Sequence, residues 1–205
     1  MKLLVVRTKI VKYFTGIALA LSVTACASSQ KVSSNQVIET APAAIELAQP
    51  AYSVQQVSVT VPEELTVSEA NVFLPLSDIV WREDPQGDRK KQIQVILADA
   101  ISTGAARVKE GRPVTMEVRV NRFHALTEKT RYTVGGRHNI NFDYLLRDAE
   151  TGIPVANVQN MEIKFKAYGG SRAFEAMARG ETQKVRITEQ VQNYIYQAMS
   201  GSNET

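Results

Sequence analysis

The chain of 205 residues holds 24 basic and 21 acidic side chains, a formal net charge of +3, and one cysteine. That is length enough for one domain with a real apolar core, and a lone cysteine excludes an intrachain disulfide. The charge is unevenly spread: Lys2, Arg7, Lys9 and Lys12 open the chain with no acidic neighbour, and residues 26–205 carry 20 basic against 21 acidic groups. The basic balance therefore belongs to the first residues and gives no argument for nucleic-acid binding.

Met1 to Lys12 has the cationic character of a secretory n-region, and Tyr13 to Thr24 is uncharged and mostly apolar. That span is too short to cross a bilayer as a helix, which needs about 20 apolar residues, and fits a signal h-region. It ends in Leu21-Ser22-Val23-Thr24-Ala25-Cys26. The run resembles the lipobox of bacterial lipoproteins, in which the cysteine takes a diacylglyceryl thioether and the peptidase cuts before it. The resemblance implies residues 1–25 as signal peptide and a mature chain of 180 residues anchored by acyl chains at Cys26. An ordinary signal ending at Ala25, with Cys26 a free thiol, is the alternative. Ala27 is not the aspartate that accompanies inner-membrane retention, so the resemblance favours the periplasmic face of the outer membrane.

Residues 26–51, rich in Ser, Gln, Asn and Ala, predict a flexible tether. A single domain over 52–200 and a disordered tail over 201–205 follow. Val57, Val59 and Val61 alternate with polar residues as in a half-buried strand ended by Pro62. Val72-Phe73-Leu74 and Ile79-Val80-Trp81 predict short strands parted by Pro75. Asp84-Pro85 predicts a helix start, with Asp84 as N-cap and Pro85 at the first helical position. Ile93, Ile96, Leu97, Ala100 and Ile101 form its apolar stripe, opposed by Arg89, Lys90, Gln94 and Asp99, with Gly104 or Gly111 ending it.

Val114, Met116, Val118 and Val120 alternate with Thr115, Glu117, Arg119 and Asn121 as a strand with one wet face. Val134-Gly135-Gly136-Arg137 offers a two-residue hairpin turn. Ile140, Phe142, Tyr144 and Leu146 form the next strand, and Val155 to Ala167 returns after the Asp148–Gly152 turn. The last third predicts helices over Arg172–Arg179 and Thr182–Met199, the latter with Val185, Thr188, Val191, Ile195 and Met199 on one face. Together these predict an α+β fold: a two-layer α/β sandwich, mostly antiparallel sheet, with helices packed on one face.

Nucleophile elbows, zinc-protease helices and Walker loops are absent from the sequence, so no catalytic residue and no cofactor is expected. His124 and His138 could meet across a hairpin, but zinc needs three or four ligands, so strand-end exposure is the plainer reading and no metal is expected. Two stretches stand out. Trp81 sits beside the charged turn Arg82–Arg89, as a core residue with a helix cap or as a partner hot spot. Arg119, Arg122, Lys129, Arg131 and Arg137, with His124, face only Glu128 over residues 119–138, and read either as a solvated strand face or as an anionic contact surface. On the second reading, reversing Arg122 and Arg131 leaves stability almost intact.

Val80-Trp81-Arg82-Glu83-Asp84-Pro85-Gln86-Gly87-Asp88-Arg89, Arg122-Phe123-His124-Ala125-Leu126-Thr127-Glu128 and Tyr132-Thr133-Val134-Gly135-Gly136 are similar to segments of an uncharacterised alphaproteobacterial lipoprotein family. The resemblance covers most of residues 70–200 and carries no activity. The expectation is an envelope lipoprotein, membrane-bound through Cys26, acting as a non-enzymatic accessory subunit on a protein or anionic polymer. A lipid or glycan carrier, or an enzyme of unrecognised type, is the alternative.

Overall fold

The computed structural model describes residues 51–201. The expected leader, Cys26, nearly all of the tether and most of the tail lie outside the described residues. The elements in order are β1 (Tyr52–Thr60), β2 (Ile79–Val80), α1 (Arg89–Ala105), β3 (Arg112–His124), α2 (Glu128–Arg131), β4 (Gly136–Asp148), β5 (Pro154–Ala167), α3 (Ser171–Ala178) and α4 (Gln183–Ser200). The architecture is the expected α+β one, with α1 and α4 packed together on one face of an open five-stranded sheet.

The sheet runs β1-β3-β4-β5, and β2 pairs with the end of β3. β3, β4 and β5 form the antiparallel meander, whereas β1 and β2 join β3 in parallel. A parallel neighbour needs a crossover, and α1 supplies it between β1 and β3. Val114, Met116, Val118 and Val120 turn inward beneath the helices. Strict alternation beyond them would bury Arg122 and expose Phe123. A register shift between Val120 and Arg122 prevents this, returning Phe123 to the core and leaving Arg122 and His124 on the other face. A second shift in β5 places Asn160 at φ 54°, where its N–H donates to Asp143 Oδ1 (2.7 Å).

On the helical side, the α1 stripe Ile93, Ile96, Leu97, Ala100 and Ile101 is buried as expected, and α4 buries Ile187, Val191, Ile195 and Met199. Val191, Ile195 and Met199 lie on the expected face, but in the first turns Ile187 is buried where Val185 and Thr188 were expected, and Val185 is exposed. The two helices nearly touch at Gly104, where a Cβ would lie 2.4 Å from the Gln192 carbonyl. Only glycine permits that approach.

Three local expectations are corrected. Asp88, not Asp84, caps α1 by accepting from Lys91 N (3.0 Å). Asp84 instead receives the Trp81 indole Nε1–H (2.9 Å), and Pro85 stays in the preceding turn, its carbonyl accepting from Arg89 and Gln92. Val72-Phe73-Leu74 is irregular loop rather than strand. Finally, β3 and β4 are joined by residues 125–135 around α2, not by a two-residue turn. Gly135 alone takes positive φ (71°), and Gly136 already belongs to β4.

Candidate functional site

At the end of the sheet where β3 stops and β4 starts, Thr66 and Asp78 close a loop. Asp78 Oδ2 accepts from Thr66 N (2.9 Å) and Thr66 Oγ1 (2.7 Å), and Ile79 N donates to the Thr66 carbonyl (2.9 Å). Those bonds hold the Asp78 carboxyl below its ordinary range. Between the two residues, Asn71-Val72-Phe73-Leu74-Pro75-Leu76 runs along α2 and its N-cap Thr127, which hold the Asn71 side chain and the loop's carbonyls. Lys129 N donates to Asn71 Oδ1 (2.8 Å), Thr127 Oγ1 to the Val72 carbonyl (2.8 Å) and Thr130 Oγ1 to the Phe73 carbonyl (3.1 Å). His124 Nε2 lies 3.2 Å from the Pro75 carbonyl.

The side chains so held face water. Val72 and Phe73 are 43% and 45% exposed, Leu74 81% and Leu76 100%. Loops that have no task for such residues are usually polar, and a contiguous exposed apolar patch marks a contact surface. Lys129 Nζ stands 4.6 Å from the centre of the Phe73 ring, setting a cation behind the apolar tip.

Behind the loop the charged turn after Trp81 forms a clamp. Arg89 grips Glu69 through Nε–Oε1 (2.6 Å) and Nη2–Oε2 (3.1 Å), and Arg82 joins Glu69 (3.2 Å) to Glu128 Oε2 (2.5 Å). The hydrogen bond from Arg89 holds the Glu69 carboxyl below its ordinary range. Burial is the largest single influence on Glu128 and works against its ionisation, but the Arg82 bond, a backbone bond and the charges of Arg82 and Arg131 together hold the carboxyl below its ordinary range. Arg131 pairs with Glu83 (3.1 Å), and Lys184 Nζ with Asp84 (2.9 Å), tying α2 and α4 to the same turn. The buried Gln183 amide accepts from Leu126 N (3.0 Å) and donates to the Leu126 carbonyl (3.3 Å).

The residues singled out from sequence do not share one surface. Trp81 is fully buried, edge-on to Phe123 with ring centres 5.6 Å apart, so its place on a partner surface is corrected to a place in the core. Arg131 is buried in its pair with Glu83, so reversing it is not the mild change expected of an anionic contact surface. Arg119 lies on the helix-free sheet face, joined to Glu64 (2.5 Å) and Asn121 (3.0 Å). Arg137 is exposed at the start of β4, and Arg122 is half-buried on the helix-free face.

The two histidines lie on opposite faces: His124 sits across from Asn139, while His138 points inward. His138 is therefore corrected from an exposed strand end to a fully buried core side chain. Its ring packs 4.9 Å from Phe165, and neither ring nitrogen has a hydrogen-bond partner. Burial, with repulsion from Arg186 and Arg131, pushes its pKa down to about 3. Among the described residues, no group of three or more His, Cys, Asp or Glu side chains is placed to hold a metal.

The helix-free face carries a depression of about 520 Å³ lined by Gln56, Ser58, Thr60, Glu117, Arg119 and Asp143. Its charged groups are engaged by side chains outside the depression, as in Arg147–Glu117 (2.9 Å), Asn121–Asp143 (2.8 Å) and Arg119–Glu64 (2.5 Å).

A family of unknown function, DUF6778, matches residues 52–205, the stretch from the first strand through α4. The chain belongs to that family. No curated protein matches it. Among solved structures, this DUF6778 chain is similar to a protein provisionally described as a lipoprotein from Caulobacter crescentus CB15, at 12% identity and a TM-score of 0.35, covering 70% of this chain and 86% of that one. It is also similar to an uncharacterised protein, at 14% identity and a TM-score of 0.33, covering 71% and 92%. A third likeness is to the PelC dodecamer from Paraburkholderia phytofirmans, at 14% identity and a TM-score of 0.29, covering 71% and 94%. No described helix is long and apolar enough to cross a membrane.

The Asn71–Leu76 loop was missed in the sequence because a short apolar run looks the same whether buried or displayed. The available signal was the pair Thr66 and Asp78 flanking an apolar run that contains Pro75.

Proposed function

We propose that this chain is an envelope lipoprotein, anchored at Cys26, whose folded domain is a non-enzymatic accessory module binding through the Val72–Leu76 loop. The observation that carries the reading is the contrast within that loop. Four polar contacts from α2 and β3, with a closed neck behind them, hold in place side chains that remain in water. Ordering a loop costs about 1–2 kcal/mol per residue in backbone entropy, so a fixed, apolar, exposed loop is a pre-ordered contact. The acids and bases gathered behind it are spent on one another in the Glu69, Glu83 and Glu128 pairs, which supports a binding role over proton transfer. The anchor rests on the lipobox resemblance at Leu21–Cys26.

Two arms test the reading in cells. Cys26→Ala is expected to abolish labelling by a clickable palmitate analogue and flotation with membranes; a variant that still labels refutes the anchor. A photo-crosslinking side chain at Leu76 is expected to capture an envelope component that the same group at Asn157, on the helix-free face, does not. Equal capture from both positions, or none from Leu76, refutes the loop as the binding surface.

A further inference from the structure

We propose that the Val72–Leu76 tip seats in the headgroup layer of an anionic bilayer, with Phe73, Leu74 and Leu76 entering the acyl boundary. The proposal rests on the reading of the loop as the binding surface and names what it binds.

The first argument is shape. Leu76 is wholly exposed and Leu74 nearly so, which makes them projections rather than walls of a groove. Protein hot spots are dominated by Trp, Tyr and Arg seated in rigid pockets, with leucine under-represented. Aliphatic tips backed by cations are the pattern of interfacial insertion, where apolar side chains enter the fluid acyl boundary and basic groups stay at the headgroups.

The second argument is charge. At this end of the sheet the acids Glu69, Glu83 and Glu128 are each engaged by Arg89, Arg131 or Arg82. Lys129 stands over Phe73, and Arg137 is exposed at the start of β4, bonded only to the Lys164 carbonyl (3.4 Å). Against these stands Asp78 at the loop's neck, bonded to Thr66 and influenced by the charge of Arg122, so the surplus at the tip is positive, which suits anionic headgroups. It disfavours tip-to-tip pairing of two copies, which would set Lys129 against Lys129.

The third argument is reach. Tyr52 pairs with Arg112 at the start of β3, whereas the tip lies beyond its end at His124, about 40 Å away at strand rise. Residues 26–51 span at most about 90 Å when extended, so an anchored domain can turn its tip onto the membrane that holds it.

The test uses residues 46–205, which include every buried core residue among those described, with circular dichroism confirming their fold. Co-flotation with phosphatidylcholine vesicles is compared with and without phosphatidylglycerol. Each basic residue near an anionic surface is worth about 1 kcal/mol, so Lys129 and Arg137 together predict roughly tenfold or more tighter binding to the anionic vesicles. Leu74→Ser with Leu76→Ser is expected to abolish binding, and Lys129→Glu to remove most of the anionic preference. Leu76→Trp adds a reporter beside a single native tryptophan that is fully buried and indifferent to lipid. Its emission is expected to shift to the blue on anionic vesicles.

Absence of vesicle binding, binding indifferent to the double serine variant, or red emission from Leu76→Trp in lipid overturns the proposal. Concentration-dependent dimers abolished by the serine variant overturn it in favour of a second copy. If vesicles fail while Leu76 captures a protein in cells, the lipid falls and the binding role of the loop stands. If both fail, both fall.

Discussion

His138 makes the stability of the domain depend on pH in a window where carboxylates contribute little. The imidazole is fully buried on β4, tilted against Phe165 and without a hydrogen-bond partner at either nitrogen. Burial first, then the charges of Arg186 and Arg131, hold its pKa near 3, against 6.5 in an exposed chain. The folded value is depressed, so the unfolded chain takes up a proton between those values while the native state does not. Stability is complete above pH 6.5 and falls as pH drops, by about 1.4 kcal/mol per unit, until protonation of the folded state ends the loss near pH 3. Half-buried His124, also depressed by burial, adds in the same direction.

Urea midpoints measured from about pH 7.5 to pH 5 should therefore fall steadily, with roughly 2 kcal/mol lost from His138 at the acid end. His138→Leu should flatten most of that slope. A leucine packs differently and shifts the whole curve, so the slope, not the absolute stability, reports the titration. Equal slopes in parent and variant, or an imidazole proton signal titrating near pH 6.5 in the folded protein, would refute the argument.

Two further outcomes follow from close contacts. Arg131→Glu sets an acid against Glu83 in a buried site and should cost on the order of 3–5 kcal/mol, read as a fall in melting temperature. The exchange Glu83→Arg with Arg131→Glu should recover part of it. Gly169→Ala would place a Cβ 2.0 Å from Gly135 N, backbone against backbone. The chain must separate there, so thermal unfolding should drop by several degrees and the Gly170 amide, bonded to the Arg131 carbonyl (3.0 Å), should lose exchange protection.

The α+β class, the meander and both long helices were legible because period-2 and period-3.6 patterns record which side chains share a face. Val114–Val120, Ile140–Leu146 and Ile93–Ile101 declare their inner faces through spacing alone. Where the pattern breaks, the sequence was silent. The shift after Val120 that returns Phe123 to the core, and the parallel seating of β1 and β2, depend on pairing between residues far apart in the chain. The N-cap passed from Asp84 to Asp88 for the same reason, since Asp84 is taken by Trp81 and by Lys184, a hundred residues away.

What the sequence determined by itself was therefore local: the leader resemblance that ends at Cys26, the element types, and the identity of the apolar faces. What only the tertiary structure decided was exposure. Arg131 and His138 are polar yet buried, because α2, α3 and α4 close over the end of the sheet. Leu74 and Leu76 are apolar yet open to water, because hydrogen bonds to their loop's backbone, and not the packing of their side chains, decide where the loop lies. Periodicity reports which residues lie together on a face. Whether that face meets a helix, a guanidinium or water depends on contacts between distant segments, and those exist only once the chain has folded.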